Sequence, residues 1–176
     1  MNDVLERVIL VDDEDKPLGD APKLLVHERG ELHRAFSVFI FDDNNRFLLQ
    51  KRHPGKYHSG GLWTNACCGH PRPDEPTIDG ATRRLHEEMG ISCDLVSEGC
   101  LIYRADVGSG LTEHEFVHIY SGICQDVLDP DPTEVEEYAW RSLADIRREA
   151  DEHPERFTAW FRIYLTRGIL GVSPPA

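Results

Sequence analysis

Lysine is scarce in this 176-residue chain. Only Lys16, Lys23, Lys51 and Lys56 stand among 32 acidic residues, and the formal net charge is -13. A nucleic-acid binder needs a dense basic face to displace phosphate counterions, so the composition speaks against that class. Acidity with few lysines is also what salt adaptation produces, although an acidic surface usually only keeps a protein solvated. Cysteine is present but unpatterned: five thiols, at 67, 68, 93, 100 and 124, with no Cys-x-x-Cys. That odd set fits neither a disulfide framework nor a zinc ribbon, and implies a reducing, cytoplasmic setting. Long apolar runs are missing too, the longest being a few residues around Phe39, and "MNDVLERVIL" has no basic region followed by an apolar stretch. Neither a membrane span nor a signal peptide is expected. Repeats and low-complexity linkers are absent, and proline-rich turns ("HPRPDEP", "DPDP", "SPPA") punctuate what reads as one domain over 1–176.

Within that frame, β-branched and aromatic runs predict strands at 6–12 and 37–42. "DDNN" then turns the second into a strand at 46–52, a hairpin. Further strands are expected at 99–105, 113–122 and around 138–140. Ile78, Ala81, Thr82, Leu85 and Met89 recur at helical spacing, and Gly90 supplies a left-handed stop. "SLADIRRE" (142–149) opens on a capping serine, and "PERFTAWFRIYL" (154–165) places Phe157, Trp160, Phe161, Tyr164 and Leu165 on one apolar face. The fold class is α/β in the α+β sense, a mixed sheet covered by helices.

Three constellations carry chemistry. "RRLHEEMG" sets Arg83 against Glu87 and Arg84 against Glu88, which by themselves are ordinary helix ion pairs. "TEHEFVHIY" reads as a strand with Glu113, Glu115, Val117 and Ile119 on one face; a buried carboxylate pair there demands a cation or a shared proton. His27, His33 and His70 fall in "KLLVHERGELHRAFS" and "CGHP", although a lone histidine is ordinarily a core or surface residue.

The spacing of Gly69, Glu75, Arg83, Leu85, Glu87, Glu88, Gly90 and Ile91, eight positions over 23 residues, resembles the Nudix box. In that loop-helix-loop, clustered carboxylates offer oxygen ligands to a hard cation that grips a diphosphate. It departs from the pattern at Arg84, where the hydrolases carry glutamate, which implies diphosphate binding and puts hydrolysis in doubt. With "LHRAFSVFIF", "LWTNACCGHP" and "EHE" in this order, the chain resembles the type 1 isopentenyl-diphosphate delta-isomerases from about residue 17 to 160.

That resemblance implies a Nudix fold, a mixed sheet sandwiched by helices, and conversion of isopentenyl to dimethylallyl diphosphate by proton addition and removal. It implies His27, His33, His70, Glu113 and Glu115 around one Mn2+ or Zn2+ ion, with Cys68 as a catalytic acid/base and Glu115 as its counterpart across the substrate. Tyr103 would complete their network by a hydrogen bond to Glu115. Trp160 would shelter a carbocation, and Lys23, Arg52, Lys56 and Arg84 would hold the diphosphate. Its Mg2+ would sit on Glu88 and the Cys68 main-chain carbonyl. Cys67 is expected to pack in the core and Glu87 to pair with Arg83. Residues 23–33 are expected as a loop that closes over substrate, and Ala66 stands where the family usually has serine or threonine. The expected partner is a small molecule bound by a monomer, without nucleic acid or membrane. Two rivals remain: a Nudix hydrolase of a nucleoside or other diphosphate, and a non-catalytic prenyl-diphosphate binder.

Overall fold

One strand organises the molecule. The computed structural model describes residues 6–169, so the "SPPA" end and the first five residues of the expected domain lie outside the described residues. A hairpin of β1 (Arg7–Val11) and β2 (Pro17–Pro22) leads into α1 (Lys23–Arg29), and then β3 (His33–Phe41) enters the interior. Every residue of β3 except Arg34 is buried, as a strand covered on both faces must be.

The rest of the sheet forms around it. β4 (Phe47–Arg52), β5 (Trp63–Asn65) and β6 (Cys67–Gly69) precede α2 (Thr77–Met89). The hairpin of β7 (Val96–Gly108) and β8 (Leu111–Ile123), then β9 (Val135–Arg141), α3 (Leu143–Glu152) and α4 (Ala159–Thr166) follow. β3 pairs parallel with β8 and antiparallel with β6, while β4 carries β5 and β9. Register brings the candidate residues together: Ser37 lies opposite Cys68, His33 opposite Glu115, and Tyr103 opposite Glu115.

Alternation along β3 divides the core into two layers. Ala35, Phe39 and Phe41 pack with Ile146 of α3 and with Trp160, Phe161 and Tyr164 of α4. Phe36, Val38 and Ile40 pack with Ala81, Leu85 and Met89 of α2. Each large side chain buried this way contributes roughly 1.5–3 kcal/mol. The sheet is therefore sandwiched by helices, in accord with the expected class. α2 stops at Gly90, φ 70°, whose N–H donates to the His86 carbonyl. A Cβ at Gly90 would lie 2.4 Å from the Asp129 carbonyl oxygen, so only glycine fits.

The structure corrects three expectations. The single helix over 154–165 is broken: Pro154–Arg156 is a 3-10 turn, Phe157 is extended, and α4 begins at Ala159. Tertiary pairing overrides the helical pattern, because Phe157 bridges to Trp63 and the Thr158 N–H donates to the Trp63 carbonyl at 3.0 Å. Residues 23–33 are not a loop. Most of the segment is α1, which ends at Gly30 in the left-handed conformation, φ 61°. β2, β5 and β6 were not expected; the last two are only three residues each, too short for a pattern of period two to show.

Candidate active site

Adjacent side chains on a strand point to opposite faces, and β6 uses this to separate its two thiols. Cys67 is fully buried in the layer under α2. Cys68 packs on the other layer and lines a cleft. Its thiol donates to Asn65 Oδ1 at 3.1 Å and lies 3.3 Å from Ser37 Oγ, which in turn is 2.8 Å from the Tyr164 hydroxyl. Asn65 is pinned by donating to the Val38 and Cys67 carbonyls. Burial pushes the Cys68 thiol up to about 12, the hydrogen bonds from Ser37 and Asn65 opposing it only in part. Near neutral pH Cys68 therefore holds its proton.

Three imidazoles meet beside it. His27 Nδ1–H donates to the Lys23 carbonyl one turn back in α1 at 2.8 Å, and His33 Nδ1–H donates to the Glu31 carbonyl at 2.9 Å. Each ring thereby commits Nδ1 and leaves Nε2 as the nitrogen available to a ligand. His27 Nε2 is buried with no hydrogen-bond partner among the described residues. His33 Nε2 and His70 Nε2 are 3.2 Å apart, and Glu115 Oε1 is 3.0 Å from His70. Ligand atoms of His27, His33, His70 and Glu115 all lie within 4.8 Å of one another. Burial pushes His27 down to about 3 and lowers His70 as well, so both rings are neutral and can donate lone pairs. An orphaned buried nitrogen, facing lone pairs and a carboxylate make a donor set that a divalent cation fits, since ligand bonds near 2.1 Å place donors about 3–3.5 Å apart.

Glu113 stands slightly apart. It belongs to an overlapping group with His27 and His58, rather than to the four above. Its Oε2 accepts from the Tyr103 hydroxyl at 2.8 Å, and the same hydroxyl is 2.7 Å from Glu115 Oε2. The expected Tyr103 contact with Glu115 is present, with a second to Glu113. Burial and then the two carboxylates push the Tyr103 phenol well above its usual range, so it remains a donor. The carboxylate pair splits. Burial and the Glu115 charge push Glu113 up, whereas for Glu115 the His33 and His70 rings outweigh burial and hold it down.

The basic residues line the other end of the same cleft. Lys23 pairs with Glu6 at 2.8 Å. Arg52 lies 5.2 Å over the Trp160 indole, and its buried Nε has no hydrogen-bond partner among the described residues. Arg84 reaches Glu87 at 2.8 Å, Glu134 at 3.3 Å, and Glu88, while Lys56 also pairs with Glu134. Glu88 accepts from Gln50 as well. Glu87 bonds Arg84 as well as Arg83, more than the single pair expected. Trp160 is buried and donates its indole N–H to Thr64 Oγ1 at 2.8 Å, so it is at once a core residue and a wall of the cleft.

Glu6, His58, Asn65 and Glu134 are among the cleft and support residues that escaped the sequence reading. Each is an isolated polar residue with no spacing pattern, and only Asn65, beside the cysteine pair, had a neighbour that could have drawn notice.

The NUDIX domain family matches residues 31–161. The sequence is 51% identical over 154 residues to the isopentenyl-diphosphate Delta-isomerase of Cereibacter sphaeroides, covering 86% of each chain. It is 47% identical over 167 residues to the enzyme of that name from Burkholderia multivorans, covering 95% of each. Among solved structures, DR0079 from Deinococcus radiodurans superposes with a TM-score of 0.76 at 15% identity, over 92% of this chain and 98% of that one, a similarity of fold alone.

Proposed function

The chain belongs to the isopentenyl-diphosphate Delta-isomerases of the NUDIX superfamily, and from that premise we propose how its residues divide the reaction. The enzyme isomerises isopentenyl diphosphate to dimethylallyl diphosphate, a step of isoprenoid biosynthesis. The double bond moves by one position, so a proton must be added at the terminal methylene and another removed from the saturated methylene on the other side of the intervening carbon. Two groups are needed, one charged with a proton and one free to take it.

Cys68 is the acid and Glu115 the base. The observation that carries this assignment is that the two line one cleft from different strands, the thiol held protonated by burial and the carboxylate held ionised by its imidazole neighbours. Tyr103 touches both carboxylates, so its hydroxyl can relay a proton between them. Protonation of the alkene creates a tertiary cation, which must meet no water. The Trp160 indole, already under the Arg52 guanidinium, is a π face suited to a cation, and its burial keeps solvent away.

His27, His33, His70, Glu113 and Glu115 would hold one Mn2+ or Zn2+ ion, whose charge compensates the buried carboxylates. Glu88 and the Cys68 main-chain carbonyl would hold the Mg2+ that accompanies the diphosphate. Lys23, Arg52, Lys56 and Arg84 bind the diphosphate oxygens; the orphaned Arg52 Nε supports this reading most directly. Arg84 also disfavours hydrolysis, because a cation occupies a position where a metal-binding carboxylate is needed. No described helix is long and apolar enough to cross a membrane, and a cytoplasmic monomer without nucleic-acid partners completes the reading.

Incubation with isopentenyl diphosphate and divalent metal under reducing conditions tests it. Dimethylallyl diphosphate with no phosphate release is expected. Released phosphate would establish the hydrolase instead, and binding without turnover the non-catalytic binder.

A further inference from the structure

His58 joins two parts of the cleft that the mechanism treats separately. It lies on the loop between β4 and β5 and is only 7% exposed. On one side its Nε2 is 3.4 Å from Glu113 Oε1. On the other its ring meets the Trp160 indole edge-on, with centroids 5.8 Å apart. A second contact falls on Nδ1. Ser59 sits in the left-handed region, φ 52°, with its hydroxyl 3.2 Å from His58 Nδ1. An ionised carboxylate only accepts, so Nε2 facing Glu113 carries the hydrogen and Nδ1 is the acceptor for the Ser59 hydroxyl.

His58 and Glu113 form their own potential metal-binding group with His27, yet this is not a second ion site. His27 commits Nδ1 to the Lys23 carbonyl, which leaves one lone pair, on Nε2, and one lone pair serves one ion. The two overlapping groups therefore describe a single centre with His58 at its margin.

We propose that His58 is a positioning residue of the metal centre: its Nε2–H holds Glu113 Oε1 while Tyr103 holds Oε2, and its ring ties that carboxylate to the Trp160 wall. With both oxygens restrained from outside, Glu113 is presented toward His27 rather than free to rotate. Partners that orient a metal-binding side chain are typically worth about 10–100-fold in metal affinity. The inference rests on the metal reading of the preceding section and adds a residue to it.

Metal affinity, measured by competition of Mn2+ or Zn2+ with a chelating dye, tests it alongside turnover. His58→Phe keeps the ring against Trp160 but lacks the donor; His58→Gln brings an amide N–H to the Nε2 position without the ring. The phenylalanine variant is expected to lose about 10–100-fold in affinity, with kcat falling and KM for isopentenyl diphosphate nearly unchanged, and the glutamine variant to regain most of that affinity. Wild-type affinity in His58→Phe overturns the proposal. So does equal loss in both variants, which would make His58 a direct ligand or a packing residue. Should His58→Phe fail to fold, Ser59→Ala, which removes the contact on Nδ1, is expected to weaken metal binding in the same direction, and unchanged affinity there also overturns the claim. A wild-type protein that binds no ion at all would remove the metal reading itself, a result distinguishable from failure of the His58 role alone.

Discussion

Cys67 and Cys68 are one peptide bond apart and chemically identical, yet strand alternation places one under α2 and the other in the cleft. Position, not intrinsic reactivity, distinguishes the two thiols. Cys68→Ala is expected to lower turnover by at least about 100-fold, the usual contribution of a positioned acid or base, while Cys67→Ala retains it. Equal losses would show that the wrong member of the pair had been assigned. Glu115→Gln should lose as much as Cys68→Ala. Tyr103→Phe separates a different role, since it keeps the ring in the core and removes the one hydroxyl shared by Glu113 and Glu115. Its kcat is expected to fall by roughly 10–100-fold, as befits a charge-assisted hydrogen bond of about 1.5–3 kcal/mol, with KM little changed. A raised KM with unchanged kcat would place Tyr103 in substrate binding instead.

At the scale of elements, α4 links stability to the cleft. Thr158 is its N-cap, accepting from the Phe161 N–H, and also donates to Thr64 Oγ1, the acceptor of the Trp160 indole. Thr158→Ala should cost about 1–2 kcal/mol in urea unfolding, the range for a lost cap, and should also slow turnover because Trp160 loses its anchor. A stability loss with full activity would show that the cap does not position the indole. The same region shows what a sequence can and cannot reveal. α2 and β8 were legible because their apolar residues repeat over nine or more positions, whereas of β3 only the part from Ser37 onward was expected. The break at Phe157 was not, because it is imposed by Trp63, nearly a hundred residues away in sequence. α1 was missed for another reason: it is seven residues long and has no side-chain cap at Pro22, so neither period nor capping announced it. The candidate ligand histidines and carboxylates emerged from ordered motifs, whereas His58, a lone histidine in a glycine- and proline-rich loop, carried no such signal.

At the scale of the molecule, the buried Glu113 and Glu115 pair ties the proposed metal centre to stability as well as to the reaction. Without a cation the pair must share a proton, and a ligand bound at a hundred times its dissociation constant stabilises a fold by about 2.7 kcal/mol. Chelation is thus expected to lower the melting temperature by roughly 5–10 °C, reversed by adding Mn2+ or Zn2+. An unchanged melting temperature after verified metal removal would count against the His/Glu centre. The net charge of -13 gives a separate test of salt adaptation, which predicts solubility and melting temperature rising from low to molar salt.

Proton traffic is observed most plainly in D2O. Purified protein, isopentenyl diphosphate and divalent metal are combined in D2O under reducing conditions and followed by NMR. Addition of a solvent-derived deuteron by Cys68 and removal of a proton by Glu115 predict dimethylallyl diphosphate with deuterium in a methyl group, and no such product from Cys68→Ala. Absence of both dimethylallyl product and exchange in the metal-replete wild-type protein, or product formed without deuterium, would contradict it.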